Sequence, residues 1–107
     1  MGTKEVEKLV ENYAELVIQE YPAELVVLFG SYAKGTAHTH SDIDVAVVVN
    51  HIEGNYLQSL TRLFRIGEDV HVLIEPVLIG KDEYRGGFLE EIKKTGKVIY
   101  RRDRASA

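Results

Sequence analysis

One stretch of this chain, LFGSYAKGTAHTHSDIDVAV at residues 28–47, decides the fold and indicates the chemistry. An apolar strand leads into the turn Gly30-Ser31, and two carboxylates, Asp42 and Asp44, stand at the start of a second apolar strand. Side chains at positions i and i+2 of a strand share a face, so the two carboxylates point the same way. The turn offers a hydroxyl and backbone N–H groups to an anion. The stretch therefore predicts a divalent-metal site beside a phosphate site.

The length and composition are those of one globular domain. The chain has 107 residues, of which 45% are hydrophobic and 28% charged. We predict a single domain over residues 1–100. Residues 101–107 form a basic tail that we expect to be disordered. The basic residues near the C-terminus indicate either a solvated helix end with a loose tail or a patch for a polyanionic partner.

Several classes of protein are not expected from this sequence. No apolar run approaches the roughly 20 residues that span a bilayer, and the N-terminus lacks a secretory signal pattern. Cysteine is absent, which excludes disulfides and thiolate metal sites. The formal net charge of −4 argues against a general nucleic-acid coat. We expect a cytoplasmic protein that does not bind membranes, and a nucleic acid is not its expected partner.

The apolar periodicity predicts the order helix, strand, strand, helix, strand, helix, strand. This order indicates an α/β or α+β domain in which helices flank a small central sheet. The predicted helices cover residues 3–21, 55–66 and 88–95, and the predicted strands cover residues 25–29, 43–49, 70–74 and 98–100.

The turn after the first strand supplies the candidate phosphate ligands. Gly30 lets the backbone approach a ligand closely, and the Ser31 hydroxyl can donate to an anion. Lys34 can reach a phosphate as a point charge, and Gly35 allows the chain to reverse. Taken alone, a Gly-Ser turn is more often a plain turn.

The acidic residues supply the candidate metal ligands. Asp42 and Asp44 would repel each other at a buried strand end, and a cation such as Mg²⁺ or Mn²⁺ removes that cost. Asp42 alone is better explained as a strand start or a turn cap, whereas the two aspartates together favour the metal site. Glu75 is the best third carboxylate, because it ends the predicted third strand and could hold a second metal or accept a proton. Its alternative role is an exposed charge at a strand terminus.

The histidines carry less information. His38 and His40 alternate around Thr39 and could ligate a transition metal, although a solvated loop is the better interpretation. We predict that His71 shares a strand face with Glu75, and we treat it as a rival to Glu75 in catalysis.

The residues Gly30-Ser31, ten intervening positions and Asp42-Ile43-Asp44 resemble the signature of the DNA-polymerase-β nucleotidyltransferase superfamily, and the fuller string is similar to its minimal prokaryotic members. The resemblance implies a palm-like fold with a small mixed sheet. It implies that Gly30 and Ser31 hold a triphosphate, and that Asp42, Asp44 and a third acid, placed at Glu75, hold two metal ions. Lys34 stands where the family often has arginine, and the third acid is often aspartate.

The resemblance also implies a reaction and a partner. The reaction is transfer of a nucleoside monophosphate from an NTP, expected to be ATP, to an acceptor hydroxyl. Minimal members often pair with a separate helical protein, commonly of the HEPN class, as in toxin–antitoxin modules, and some adenylylate it. The alternative is a catalytically weak nucleotide- and metal-binding subunit that acts by binding such a partner. A homo-oligomer is also compatible with the sequence.

Overall fold

The structure is a computed structural model that describes residues 1–38, 40–83 and 86–102. Four helices and four strands alternate along the described chain. In order they are α1 (Thr3–Ile18), β1 (Ala23–Phe29), α2 (Ser31–Lys34), β2 (Ile43–Val49), α3 (Tyr56–Val70), β3 (Ile74–Gly80), α4 (Phe88–Thr95) and β4 (Lys97–Arg101).

The strands form one mixed sheet in the order β3-β2-β1-β4. β1 pairs antiparallel with both β2 and β4, while β2 and β3 run parallel and are joined by the crossover helix α3. Pro76 lies on β3, an edge strand, where its missing N–H interrupts no second ladder. The predicted α+β class with a small mixed sheet is confirmed.

The two faces of the sheet are covered unequally. Alternate residues of β1 and β2, such as Val26, Ile43 and Val45, face a core that α1 and α3 complete. The opposite face packs a smaller apolar cluster, with Leu89 and Ile92 of α4 against β1 and β2. Asp44 and Glu75 belong by alternation to this second face. The predicted acids therefore lie on the thinly covered side of the sheet.

The prediction of a third strand at residues 70–74 is wrong. α3 continues through Gly67 to Val70, and β3 begins only at Ile74. The predicted helix stops at residue 66, but Gly67 is buried within α3, where a Cβ would lie 3.1 Å from Ile74 Cγ2. Close helix–strand packing thus explains this glycine. Glu75 consequently stands at the start of a strand and not at its end.

The remaining boundaries move little. β4 extends to Arg101, and the Arg102 backbone N–H donates to Glu24 O at 2.9 Å, so the sheet reaches into the segment assigned to the tail. Residues 103–107 of that predicted tail lie outside the described residues. Within the described part of the chain, no helix is both long and apolar enough to cross a bilayer.

Candidate active site

Three carboxylates meet where β2 and β3 begin. Asp44 and Glu75 are direct neighbours in the parallel register, and Asp42 precedes β2 by one residue. The Ile43 N–H donates to Leu73 O at 2.8 Å, which ties the chain just before β3 to the residue between the two aspartates. Asp44 is half-buried, whereas Asp42 and Glu75 are exposed. The structure thus brings all three predicted acids to one edge of the sheet.

Gly30 fits closely against Asp44. Phe29 is the antiparallel partner of Asp44, and Gly30 follows it with φ +75°. A Cβ built on Gly30 would overlap the Asp44 carboxylate, so only glycine leaves space for that side chain. The Gly30-Ser31 turn and the acids therefore form one continuous site.

The crowded site raises the pKa values of Asp44 and Glu75. A hydrogen bond with Asp42 is the main cause of the raised pKa of Glu75, and burial and the charges of Asp42 and Asp44 add to it. Burial, followed by the charge of Asp42, raises the pKa of Asp44. Both shifts have the sign expected where carboxylates crowd together, and a bound cation would reverse it.

The turn holds its predicted residues in distinct roles. The Lys34 N–H donates to Gly30 O at 3.1 Å, which closes the four-residue helix α2, and the Lys34 side chain is exposed. Gly35 has φ +77° with nothing near its missing Cβ, so it serves the predicted chain reversal. Ser31 is half-buried, and its carbonyl accepts from Thr36 N–H at 3.0 Å.

The side chain of His71 accepts a hydrogen bond, whereas His38 and His40 are exposed. His71 caps α3 and does not share a strand face with Glu75, so that prediction is wrong; its Nδ1 accepts from Leu73 N–H at 3.0 Å. The extra turn of α3 is the reason. His38 anchors the loop through its backbone, which bonds to Ser41 Oγ at 2.9 Å. His40 is exposed.

A second cluster of ligand-type side chains lies at the other end of β2 and β3. His51 Nδ1 and Asp82 Oδ2 are 2.7 Å apart, and the ligand atoms of His51, Asp82 and Glu83 all lie within 4.8 Å of one another. In the described ranges no other triple is this compact, so the acids at the strand starts are more widely spaced. Sequence reasoning missed this cluster. The aligned strand ends, Val49 beside Gly80, would have indicated it.

The comparisons with known proteins agree on one family. The family described as polymerase beta, nucleotidyltransferase, matches residues 11–105. Two proteins of Methanocaldococcus jannaschii, both named as proposed protein adenylyltransferases, are 24% and 26% identical to the chain. The first alignment covers 88% of this chain and 97% of that protein, and the second covers 92% and 88%.

Solved structures show the same fold. A proposed nucleotidyltransferase from Sulfolobus solfataricus superimposes with a TM-score of 0.73 at 23% identity, covering 95% of this chain and 86% of that one. A minimal nucleotidyltransferase gives 0.65 at 23% identity, covering 90% and 94%. A chain of a toxin–antitoxin structure with AMP-PNP gives 0.64 at 23% identity, covering 88% and 75%.

The crowding of Gly30 on Asp44 can be tested by making Gly30→Ala with and without Asp44→Ala. Gly30 has φ +75° and ψ −152°, a backbone region that essentially only glycine occupies, so alanine there should cost roughly 1–3 kcal/mol of unfolding free energy in both backgrounds. With Asp44 present it should cost roughly 1–3 kcal/mol more, because the methyl group must displace the Asp44 carboxylate. Urea unfolding of the four proteins measures the difference. Equal losses in the two backgrounds would contradict the close fit.

The raised pKa values predict how stability depends on pH. The carboxyl groups of Asp44 and Glu75 have higher pKa values in the folded protein than in the unfolded chain. The free energy of unfolding therefore falls as the pH rises from the unfolded pKa, about 4, through the folded one. Metal-free Asp44→Asn should lose less stability than the wild type when the pH rises from 4 to 7.5, because it lacks the carboxyl group that must ionise in the crowded site. Urea unfolding at both pH values measures this, with Glu11→Gln as an exposed control. The stabilising His51–Asp82 pair also weakens as pH rises past the raised pKa of His51, but it is common to all variants. The same pH dependence in Asp44→Asn and wild type would refute the electrostatic assignment.

Proposed function

The chain belongs to the polymerase beta nucleotidyltransferase family, and we propose that its reaction is a metal-dependent transfer of a nucleoside monophosphate from ATP to a protein hydroxyl. The observation that carries the proposal is the joining of three carboxylates to the Gly30-Ser31 turn through the close fit of Gly30 on Asp44. Acidic residues alone are compatible with several kinds of chemistry, and a glycine-containing turn alone is common in proteins without a phosphate site. Their contact favours chemistry on a phosphate.

The three carboxylates fit a site for divalent cations. Hard cations such as Mg²⁺ or Mn²⁺ prefer carboxylate oxygens. Burial and the neighbouring acids raise the pKa values of Asp44 and Glu75, as expected where negative charge lacks a compensating cation. Asp42, Asp44 and Glu75 would hold two ions. When bound, such ions neutralise the triphosphate and stabilise the charge that develops at the α-phosphorus.

The turn supplies the groups for the triphosphate. The Ser31 hydroxyl can donate to a phosphate oxygen, and the exposed Lys34 ammonium can add a charge-assisted hydrogen bond. Gly30 keeps the backbone close to the acids. These residues would hold the nucleotide with its α-phosphorus near Asp44, which converts the transfer into a reaction between positioned groups.

Glu75 is proposed as the proton acceptor. The acceptor oxygen forms a bond to the α-phosphorus, the bond from that phosphorus to the β-phosphate oxygen breaks, and pyrophosphate leaves. The hydroxyl proton passes to the Glu75 carboxylate. Its exposure leaves it accessible to an incoming hydroxyl, so its carboxylate can take up the proton that the hydroxyl loses.

A protein acceptor is supported by the names of the M. jannaschii relatives, and a separate partner by the toxin–antitoxin neighbours. We propose a helical, HEPN-type partner in the cytoplasm, where ATP and Mg²⁺ are available. The second candidate function, a weakly catalytic subunit that acts by binding this partner, is favoured by the same neighbours. Incubation with α-labelled ATP, Mg²⁺ and the protein encoded by the adjacent gene separates the two. Label on the partner supports transfer, and a stable unlabelled complex supports the alternative.

The role of Glu75 can be tested against His71. Glu75→Gln keeps the size of the side chain and removes the charge that accepts a proton, so turnover should fall by roughly 10²–10⁴ while ATP binding persists. His71→Gln is the control. Its side chain bonds to the turn before β3, so this substitution should reduce turnover little. Single-turnover label transfer measures both. A larger loss at His71 than at Glu75 would show that the wrong residue has been assigned.

A further inference from the structure

An aromatic pair borders the acid site and has no part in the chemistry described above. The rings of Phe29 and Phe88 have centroids 5.4 Å apart and planes at 83°, an edge-to-face arrangement. Phe29 is half-buried against the smaller apolar cluster, while Phe88, the first residue of α4, is 41% exposed. The pair therefore presents an aromatic surface to solvent beside charged groups.

The sheet register fixes where this surface lies. Glu75, Asp44 and Phe29 are successive cross-strand neighbours on β3, β2 and β1. Directly paired residues share a face, so the three side chains form a row with Asp44 in the middle. Glu75 and the aromatic pair thus flank Asp44 from opposite sides.

The two flanks suit different parts of the reaction. Glu75 is placed to take the acceptor's proton, which assigns its side of Asp44 to the acceptor. The residues that follow Phe29 form the turn proposed to hold the triphosphate. The nucleoside is attached to the α-phosphorus, proposed to lie near Asp44, and with the acceptor on the Glu75 side it would lie on the other flank of Asp44, toward Phe29 and Phe88.

We infer that the Phe29–Phe88 pair is the surface on which the nucleobase of the NTP packs, an inference that rests on the proposed function. Bases stack on aromatic side chains through their π-faces. Phenylalanine offers no hydrogen-bond donor or acceptor with which to tell one base from another. The pair would therefore strengthen binding of any NTP and leave the choice of base open.

The inference is tested by comparing ATP with inorganic tripolyphosphate, which has the phosphates but no base. Dissociation constants for both are measured with Mg²⁺ by isothermal titration in the wild type and in Phe88→Ala, Phe88→Tyr and Leu57→Ala. Leu57 is a matched control because it is 68% exposed and lies on α3. GTP and CTP extend the series.

Phe88→Ala should weaken the binding of ATP, GTP and CTP by on the order of tenfold. This is near the lower end of the range for base–aromatic stacking, because Phe88 is partly exposed. The affinity of Phe88→Ala for tripolyphosphate should equal that of the wild type. Phe88→Tyr should bind ATP as tightly as the wild type, and Leu57→Ala should leave both dissociation constants unchanged. The ratio of the dissociation constants for ATP and tripolyphosphate does not depend on partial unfolding, because unfolding lowers the apparent affinity for both ligands by the same factor.

The outcomes separate the inference from the proposed function. If the wild type binds both ligands and Phe88→Ala leaves their ratio unchanged, the nucleobase assignment alone is wrong. If Phe88→Ala keeps its ATP affinity but transfers label to the protein acceptor more slowly, the aromatic pair contacts the acceptor and the inference is overturned. A wild type that binds neither ATP nor tripolyphosphate would overturn the inference and the proposed function together.

Discussion

The parallel, in-register pairing of β2 with β3 is the constraint on which the candidate site depends. It sets Asp44 beside Glu75, although 30 residues separate them in the sequence, and it does so where both strands begin. The antiparallel pairing of β2 with β1 then sets Phe29 and the Gly30 turn on the other side of Asp44. These two ladders therefore position Asp44, Glu75 and the residue that leads into the Gly30 turn.

The charges are held together because the opposite face of the same strand is buried. Ile43 and Val45, the neighbours of Asp44, are fully buried under α1 and α3, and they prevent β2 from sliding to relieve the repulsion. Moving β2 by one residue would turn those apolar side chains out of the core. The apolar core thus maintains a site that is electrostatically unfavourable without a cation, an arrangement common at functional sites.

Most of the fold could be predicted from apolar periodicity, because the strands at residues 25–29 and 43–49 are continuous apolar runs bounded by polar turns. The start of β3 could not, since Val70, Leu73 and Ile74 are compatible with a helix end as well as a strand. That error reversed the place of Glu75 within its strand and put His71 on a strand that it does not join. Glu75 still reaches the predicted site, because parallel strands bring their starts together.

Other features depend on contacts that no local pattern encodes. The approach of Phe88 to Phe29 joins residues that are 59 positions apart, and it follows from the way α4 crosses the thinly covered face. The crowding of Gly30 on Asp44 also requires the sheet register, although a glycine beside a strand end indicated a close approach. The sequence thus indicates the candidate groups, and the topology determines their arrangement.

The central claim is that Asp44 joins bound nucleotide to a divalent cation. It is tested most directly by measuring the dissociation constant of non-hydrolysable ATP over a Mg²⁺ titration in the wild type and in Asp44→Asn. The account predicts that Mg²⁺ tightens nucleotide binding strongly in the wild type and little in the variant, while the affinities without Mg²⁺ stay equal or favour the variant. The same Mg²⁺ dependence in both proteins would contradict it.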